Sequence, residues 1–110
     1  MNLSQLYYFR KLAELEHYGK ASEELFITQP SLSNSIGNLE KELGVLLFER
    51  VGRNVRLTSY GAEFNEHVCV ALSEIDKAID LMKLYSSGLS GQIRIGAVIS
   101  IQRNFLPLLL

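Results

Sequence analysis

The sequence predicts a mainly α-helical fold in which a winged helix-turn-helix precedes one long helix. Two short amphipathic helices meet at a turn that ends in Thr28, and the second helix opens with Gln29 and Pro30. A compact arginine-rich hairpin follows, with its turn at Gly52-Arg53-Asn54. From Ser59 onward, apolar residues recur every three or four positions, which is the spacing of one helical face.

The first two helices are predicted from capping and apolar spacing. Asn2 and Gln5 have the separation of a capping box, so the first helix is expected to begin there and to end near Glu16. The second helix is expected to begin at Gly19 and to continue to Leu25.

The third helix carries the most informative pattern. Thr28 is a suitable N-cap, Pro30 is tolerated in the first turn, and Gly44 is suited to ending the helix. Its apolar positions form one stripe: Leu32, Ile36, Leu39 and Leu43. Its opposite face is small and polar: Gln29, Pro30, Ser33, Asn34, Gly37 and Asn38. Such a face, presented at a steep angle to a preceding helix, is suited to entering the major groove of DNA.

The long helix is predicted to follow Thr58 and to span residues 59–87. At 1.5 Å per residue it would be roughly 43 Å long, which is more than the small domain beside it can cover. We therefore expect a second copy of the chain to pack on its apolar stripe, although packing on its own domain is the alternative. The predicted dimer contacts are Phe64, Val68, Ala71, Leu72, Ile75, Ile79 and Met82.

These patterns divide the chain into four parts. Residues 1–58 form the predicted winged helix-turn-helix, and residues 59–87 form the linker and dimerisation helix. Residues 88–91 are rich in glycine and serine, which is typical of a hinge. Residues 92–110 are apolar and resemble the start of a second, truncated domain.

Composition excludes several classes of protein. The 47% hydrophobic content is sufficient for a folded core, and no apolar run is long enough to span a bilayer. The single Cys69 cannot form an internal disulfide, which favours a reducing, cytoplasmic location. His17 and His67 lack the spacing of metal ligands, and Cys69 is expected to be a small buried residue. No catalytic constellation, metal site or cofactor motif is present in the sequence, so an enzyme is not expected.

The charge distribution both opposes and supports DNA binding. A net charge of -1 is unusual for a DNA-binding domain. However, Arg50, Arg53 and Arg56 lie within seven residues that contain no acid. We therefore expect the hairpin to supply the contacts with phosphate groups.

The candidate DNA contacts lie at the start of the second helix, on the outer face of the third helix and on the hairpin: Lys20, Thr28, Gln29, Pro30, Ser31, Ser33, Asn34, Asn38, Arg50, Arg53 and Arg56. Gln29 can reach a base edge, and Arg53 at the hairpin tip can reach a phosphate or the minor groove. Several alternatives remain open. Thr28 also serves as a cap, Arg50 can instead pair with a carboxylate, and Lys20 can be a simple surface charge.

Taken in order, these residues resemble the LysR-type transcriptional regulators of bacteria. The matching segments are Met-Asn-Leu-x-x-Leu-x-x-Phe at the start, residues 28–33, Leu47-Phe48-x-Arg50, Leu57-Thr58-x-x-Gly61 and residues 91–96. The resemblance implies sequence-specific binding of a pseudo-palindromic site on double-stranded DNA by a homodimer, or by a tetramer of the full-length protein. It also implies a small-molecule effector. This effector would bind to a sensor domain, nearly all of which is absent from this sequence.

The sequence departs from that family at two places. Members often carry arginines in the middle of the recognition helix, where this chain has Asn34, Gly37 and Asn38. Asparagine can pair with adenine through two hydrogen bonds, so specificity can be gained as charge is lost. The second helix is often capped by Ser or Thr, where this sequence predicts Gly19. A second hypothesis follows from the sparse cations, namely a winged helix used mainly for protein–protein assembly.

Overall fold

The structure is a computed structural model that describes residues 1–87, and it has the predicted winged helix-turn-helix architecture. The predicted hinge at 88–91 and the segment 92–110 lie outside the described residues. The elements are α1 (Leu3–Leu15), α2 (Tyr18–Leu25), α3 (Gln29–Leu43), β1 (Phe48–Val51), β2 (Asn54–Leu57) and α4 (Ser59–Ser86).

The helix ends follow the capping chemistry of the sequence, with one exception. Asn2 and Gln5 form the predicted capping box, with reciprocal hydrogen bonds of 2.9 and 3.1 Å. Thr28 caps α3, and Gly44 ends it in the left-handed conformation with a φ of 79°. All three predictions are therefore confirmed.

The start of α2 was predicted wrongly. The helix begins at Tyr18 rather than Gly19, because His17 is its N-cap. The Nδ1 atom of His17 accepts a hydrogen bond of 3.0 Å from the backbone N–H of Lys20. A neutral imidazole nitrogen can therefore replace the hydroxyl oxygen that usually caps a helix.

The wing is an antiparallel pair of strands joined by a tight turn. Val51 pairs with Asn54, so Asn54 belongs to β2 and the turn contains only Gly52 and Arg53. Gly52 has a φ of 64°, a conformation that glycine adopts without a steric penalty. The turn therefore places Arg53 at the tip of the wing.

Two glutamates attach the wing to the helices. Glu40 of α3 accepts hydrogen bonds from the backbone N–H groups of Leu47 and Phe48, at 2.7 and 3.2 Å. Glu16, at the end of α1, accepts a 3.0 Å hydrogen bond from the N–H of Leu57 in β2. Both strands are thereby held by partly buried carboxylates, which make stronger hydrogen bonds than neutral acceptors.

An aromatic cluster forms part of the core. Phe9 of α1 is fully buried, and its ring centroid lies 5.4 Å from that of Phe48 and 5.2 Å from that of Phe64. These tilted and edge-on arrangements are the favourable ones for aromatic pairs. The cluster joins α1, the wing and α4 in one core.

The core draws on α4 further than the sequence suggested. Met1–Leu72 form one compact unit, and a second unit begins at Ser73. Val68 and Leu72 are only 4% and 0% exposed in the single chain, and Phe64 contacts Phe9. Val68 and Leu72 have almost no surface left for a partner. In the structure these two residues therefore belong to the core rather than to the predicted dimer contacts. Phe64 also packs in this core, against Phe9.

The first turn of α4 packs closely on the loop before the wing. The N–H of Thr58 donates a 3.0 Å hydrogen bond to the carbonyl of Leu47, and the Thr58 hydroxyl donates one of 2.6 Å to the carbonyl of Leu46. A Cβ atom at the buried Gly61 would overlap the carbonyl oxygen of Leu47. This approach therefore requires glycine at position 61.

We predict opposite effects of alanine at two helical glycines. Gly61→Ala should lower the free energy of unfolding by about 1–3 kcal/mol, because the backbone at Leu47 must move. Gly37→Ala is the matched control, since a Cβ there meets nothing within 4 Å. It should raise the free energy of unfolding by about 0.5–1 kcal/mol through helix propensity. Urea unfolding measures both effects, and equal effects at the two sites would contradict the packing described.

Candidate nucleic-acid interface

A cleft between the helices and the wing brings together many of the predicted DNA contacts. It has a volume of about 620 Å³ and is lined by Tyr18, Gln29, Pro30, Ser33, Arg50 and Arg53. Five of these six residues were candidates from sequence, and they come from α3 and from the wing. The fold thus places the polar face of α3 beside two arginines.

The outer face of α3 is exposed as predicted. Leu32, Ile36 and Leu39 are buried, which turns the opposite side of the helix to the surface. The exposed candidates on this side are Gln29, Pro30, Ser33, Asn34 and Asn38. Asn34 and Asn38 do not line the cleft and continue the polar face along the helix.

Thr28 and Ser31 are engaged within the helix start. The Thr28 hydroxyl oxygen accepts a 3.1 Å hydrogen bond from the backbone N–H of Ser31. The same hydroxyl donates a 2.9 Å hydrogen bond to the Ser31 hydroxyl. The cap role of Thr28 is therefore realised. Both side chains remain exposed, so a further contact with a phosphate is compatible with the cap.

The three arginines of the wing have different surroundings. Arg56 pairs with Glu49 on the neighbouring strand at 3.0 Å, because the hairpin register sets these two residues opposite each other. Arg50 and Arg53 take part in none of the ion pairs that the structure shows within residues 1–87. The positive charge of residues 50–56, which contain no acid, is thus partly neutralised by Glu49, which lies just before them.

Tyr18 is a residue of the cleft that sequence reasoning missed. It is the first residue of α2 and is half-buried. Burial raises the pKa of its phenol above the ordinary value of 10.0, and the charge of Glu40 raises it further. The charge of Arg50 and hydrogen bonding with Ser33 act in the opposite direction. No signal in the sequence indicated it, because the predicted start of α2 at Gly19 left Tyr18 outside the helix.

Lys20 lies next to this site but outside the cleft. Its side chain is exposed on the first turn of α2, and its backbone N–H is used by the His17 cap. The position is compatible with a phosphate contact and equally with a surface charge. This alternative from the sequence stays open.

Comparison with known proteins decides the family. Residues 3–62 match the family described as bacterial regulatory helix-turn-helix protein, lysR family. The chain belongs to the LysR family. The HTH-type transcriptional regulator AlsR of Bacillus subtilis is 43% identical over 107 residues, which is 97% of this chain and 35% of AlsR. This LysR-family chain therefore spans about a third of the length of that relative.

Solved structures share the fold of this LysR-family chain. The crystal structure of the BenM DBD in complex with catB site 1 DNA has a TM-score of 0.73 at 39% sequence identity. It covers 82% of this chain and 100% of the BenM chain. The complex of the CbnR DBD with DNA has a TM-score of 0.69 at 31% identity, covering 78% of this chain and 99% of that one.

The distal part of α4 retains an exposed apolar surface. A groove on it is lined by Ile75, Ala78, Ile79, Met82, Lys83 and Ser86. Ile79 and Met82 are 44% and 58% exposed, and Ala71 is also exposed. These residues, with Ile75, keep surface that a partner could cover.

Residues 1–87 show no sign of a metal centre or of a membrane-spanning helix. This part of the LysR-family chain contains no group of three or more histidine, cysteine or acidic side chains placed to hold a metal ion. None of its helices combines the length and apolarity needed to cross a membrane. His67 is exposed, and Cys69 is partly exposed beside Asn65 at 3.5 Å rather than buried as predicted.

Tyr18→Phe should reduce the loss of stability at alkaline pH. The folded chain holds the Tyr18 proton more tightly than the unfolded chain, whose tyrosine pKa is 10.0. The resulting stabilisation is complete below that value and is lost as the pH rises through the higher folded pKa. Urea unfolding at about pH 8 and about pH 10.5 should therefore show a steeper fall for the wild type than for the variant.

Tyr60→Phe is the control, because Tyr60 is exposed and its substitution also removes one phenol from the chain. If the wild type and Tyr18→Phe lose stability equally over this range, the environment assigned to Tyr18 is incorrect.

Proposed function

We propose that this chain binds double-stranded DNA in a sequence-specific manner as part of a transcriptional regulator. The observation that carries the proposal is the cleft in which Gln29, Pro30 and Ser33 of α3 lie beside Arg50 and Arg53 of the wing. The similar BenM and CbnR domains form complexes with DNA, which supports the same role here. The proposed role is one of binding, without catalysis, and it would be exercised in the cytoplasm, where bacterial DNA lies.

In this proposal α3 enters the major groove and reads base edges. The groove is about 12 Å wide, which admits one helix. Gln29 and Asn34 carry amides that can donate and accept at once, as adenine recognition requires. Ser33 can donate to a single acceptor, and Pro30 offers an apolar surface to a thymine methyl group. Asn38 lies further along the same face and would extend the readout.

The wing would supply contacts with the DNA backbone that do not depend on the base sequence. Arg53 at the turn and Arg50 in β1 are the main cations of the wing proposed to contact phosphate groups. Arg56 would contribute less, because contact with DNA must compete with its pair with Glu49. Lys20, Thr28 and Ser31 would add contacts with phosphate at the helix starts.

We further propose that the chain acts as a homodimer through the distal part of α4. The exposed apolar side chains of Ile79 and Met82, with the partly exposed Ile75, favour a partner of matching character, for which a second copy is suited. Ala71 would lie at the edge of that contact. Two recognition helices would then read half-sites about 34 Å apart on a pseudo-palindrome. The longer protein would add a domain for a small-molecule effector and could form a tetramer.

Arg53→Ala should weaken binding to specific and random duplexes alike. Loss of one phosphate contact should reduce the slope of log K against log salt concentration by about one per protomer. Arg56→Ala is the matched control on the same hairpin and should change the slope less, because Glu49 already pairs with Arg56. Filter or fluorescence titrations at several salt concentrations measure the slope.

The same titrations separate DNA binding from the alternative of a protein-assembly module. An assembly module should show almost no salt-dependent affinity for random duplex DNA. That result for the wild type would refute the proposed function. Equal slopes for Arg53→Ala and the wild type would refute only the assignment of Arg53.

Ile79→Lys should convert the dimer to a monomer, because it places a charge in the proposed apolar contact. Specific DNA affinity should then fall steeply, since the two half-sites are no longer linked. Ser73→Lys adds the same charge at an exposed position that does not line the groove, and it should remain dimeric. Sedimentation at micromolar concentration distinguishes the two states.

Leu72→Lys is unsuitable for this test, because Leu72 is fully buried in the single chain and the substitution would unfold the domain. A wild-type chain that is monomeric and still binds its selected site tightly would contradict the dimer.

A further inference from the structure

The first turn of α2 lies against the side chains that are proposed to read bases. Tyr18 and Ser33 line the same cleft, and the Ser33 hydroxyl lies close enough to the Tyr18 phenol to lower its pKa. Gly19 faces Gln29, because a Cβ atom built at Gly19 would lie 3.5 Å from the Nε2 atom of Gln29. Two neighbouring residues of α2 therefore border two neighbouring reading positions of α3.

We propose that Tyr18 and Gly19 are positioning residues that select the side-chain conformations of Ser33 and Gln29 and thereby set base preference. The inference rests on the proposed function, because it assumes that α3 reads DNA. It adds that part of the specificity is determined by α2, from residues that need not touch a base. Sequence reasoning assigned specificity to α3 alone.

The Tyr18 side chain restricts what the Ser33 hydroxyl can offer. A serine hydroxyl has one donor and rotates freely unless a partner fixes it. The half-buried phenol of Tyr18, which lines the cleft with Ser33 and Arg50, would be such a partner. With one side of the Ser33 hydroxyl occupied, the remaining side would be presented to the cleft in a defined direction.

Gly19 acts on Gln29 through space rather than through a bond. A glutamine side chain loses considerable rotamer entropy when it is ordered on binding. A neighbouring surface that already restricts its conformers lowers this entropic cost. The Gln29 amide lies beside the first turn of α2, within van der Waals reach of a Cβ atom at position 19. A methyl group there would contact the Gln29 amide at 3.5 Å and would press on the His17 ring, whose Cε1 atom would be 3.0 Å away.

The test compares the 110-residue wild type with Tyr18→Phe and Gly19→Ala. Selection from a random duplex library gives the preferred site of the wild type. Titrations with that site and with random duplex then give a discrimination ratio for each chain. We expect each variant to lower this ratio by more than about twofold and up to about tenfold, the range of one hydrogen bond. Because the ratio compares the two affinities of the same chain, an equal loss on both duplexes leaves it unchanged.

Double variants establish whether each residue acts through its proposed partner. In a Ser33→Ala background, Tyr18→Phe should have no further effect on the discrimination ratio. Gly19→Ala should likewise be silent in a Gln29→Ala background. Urea unfolding of every variant shows whether the fold is kept. Gly19→Ala raises helix propensity, but its methyl group also presses on the His17 ring that caps α2. The Gln29→Ala background separates an action on Gln29 from one on the cap, because an effect through the cap would persist there.

The outcomes separate this inference from the function on which it rests. A wild type that enriches no sequence refutes the proposed function and the inference with it. A wild type that selects a site, with variant ratios within about twofold of its own, refutes the inference alone. Undiminished effects in the Ser33→Ala and Gln29→Ala backgrounds also refute it, because Tyr18 and Gly19 would then act directly or through stability.

Discussion

The carboxylate of Glu40 accepts hydrogen bonds from two successive backbone N–H groups, those of Leu47 and Phe48. An isolated two-stranded hairpin is marginally stable in water, so the wing cannot fix its own position. Glu40 lies on α3, the helix proposed to read DNA, and it therefore sets the wing at a fixed place relative to that helix. The cleft that carries the proposed function exists because of this attachment.

Glu16 performs the same task for the second strand and does so from a strained backbone. Its φ of 51° lies in the left-handed region, which costs a residue other than glycine roughly 1–2 kcal/mol. A glycine at the end of α1 would avoid that cost but would lack the carboxylate that accepts from Leu57. Loss of a charged acceptor for a partly buried N–H costs about 1–3 kcal/mol, which is comparable with the strain or larger.

The sequence was sufficient where the deciding interactions are local. The capping box at Asn2, the Thr28 cap and the Gly44 terminator each involve residues four or fewer positions apart, and each was predicted. Apolar periodicity also placed Leu32, Ile36 and Leu39 of α3 in the core, whereas Leu43 at the end of the predicted stripe is only partly buried. Family resemblance, carried by many small matches in order, added the winged fold.

Contacts between distant parts of the chain were beyond such reasoning. Glu16 and Leu57 are separated by 41 positions, and nothing in the local sequence of either indicates the hydrogen bond. The stripe of α4 is continuous in sequence, so periodicity could not show that Leu72 is covered by its own domain while Ile79 remains exposed. Tyr18 was missed for the same reason, since its neighbours Ser33 and Arg50 are brought to it only by the fold.

Charge illustrates most directly how the fold changes the interpretation of composition. A net charge of -1 argues against DNA binding only if the charges are spread evenly, and here they are not. Lys11 is held by Glu24 and Glu14, whose hydrogen bonds raise its pKa, and Arg56 is held by Glu49. Arg50 and Arg53 remain beside the polar face of α3. Because screening at physiological salt limits exposed charges to about 8 Å, these two arginines govern the potential in the cleft more than the net charge does.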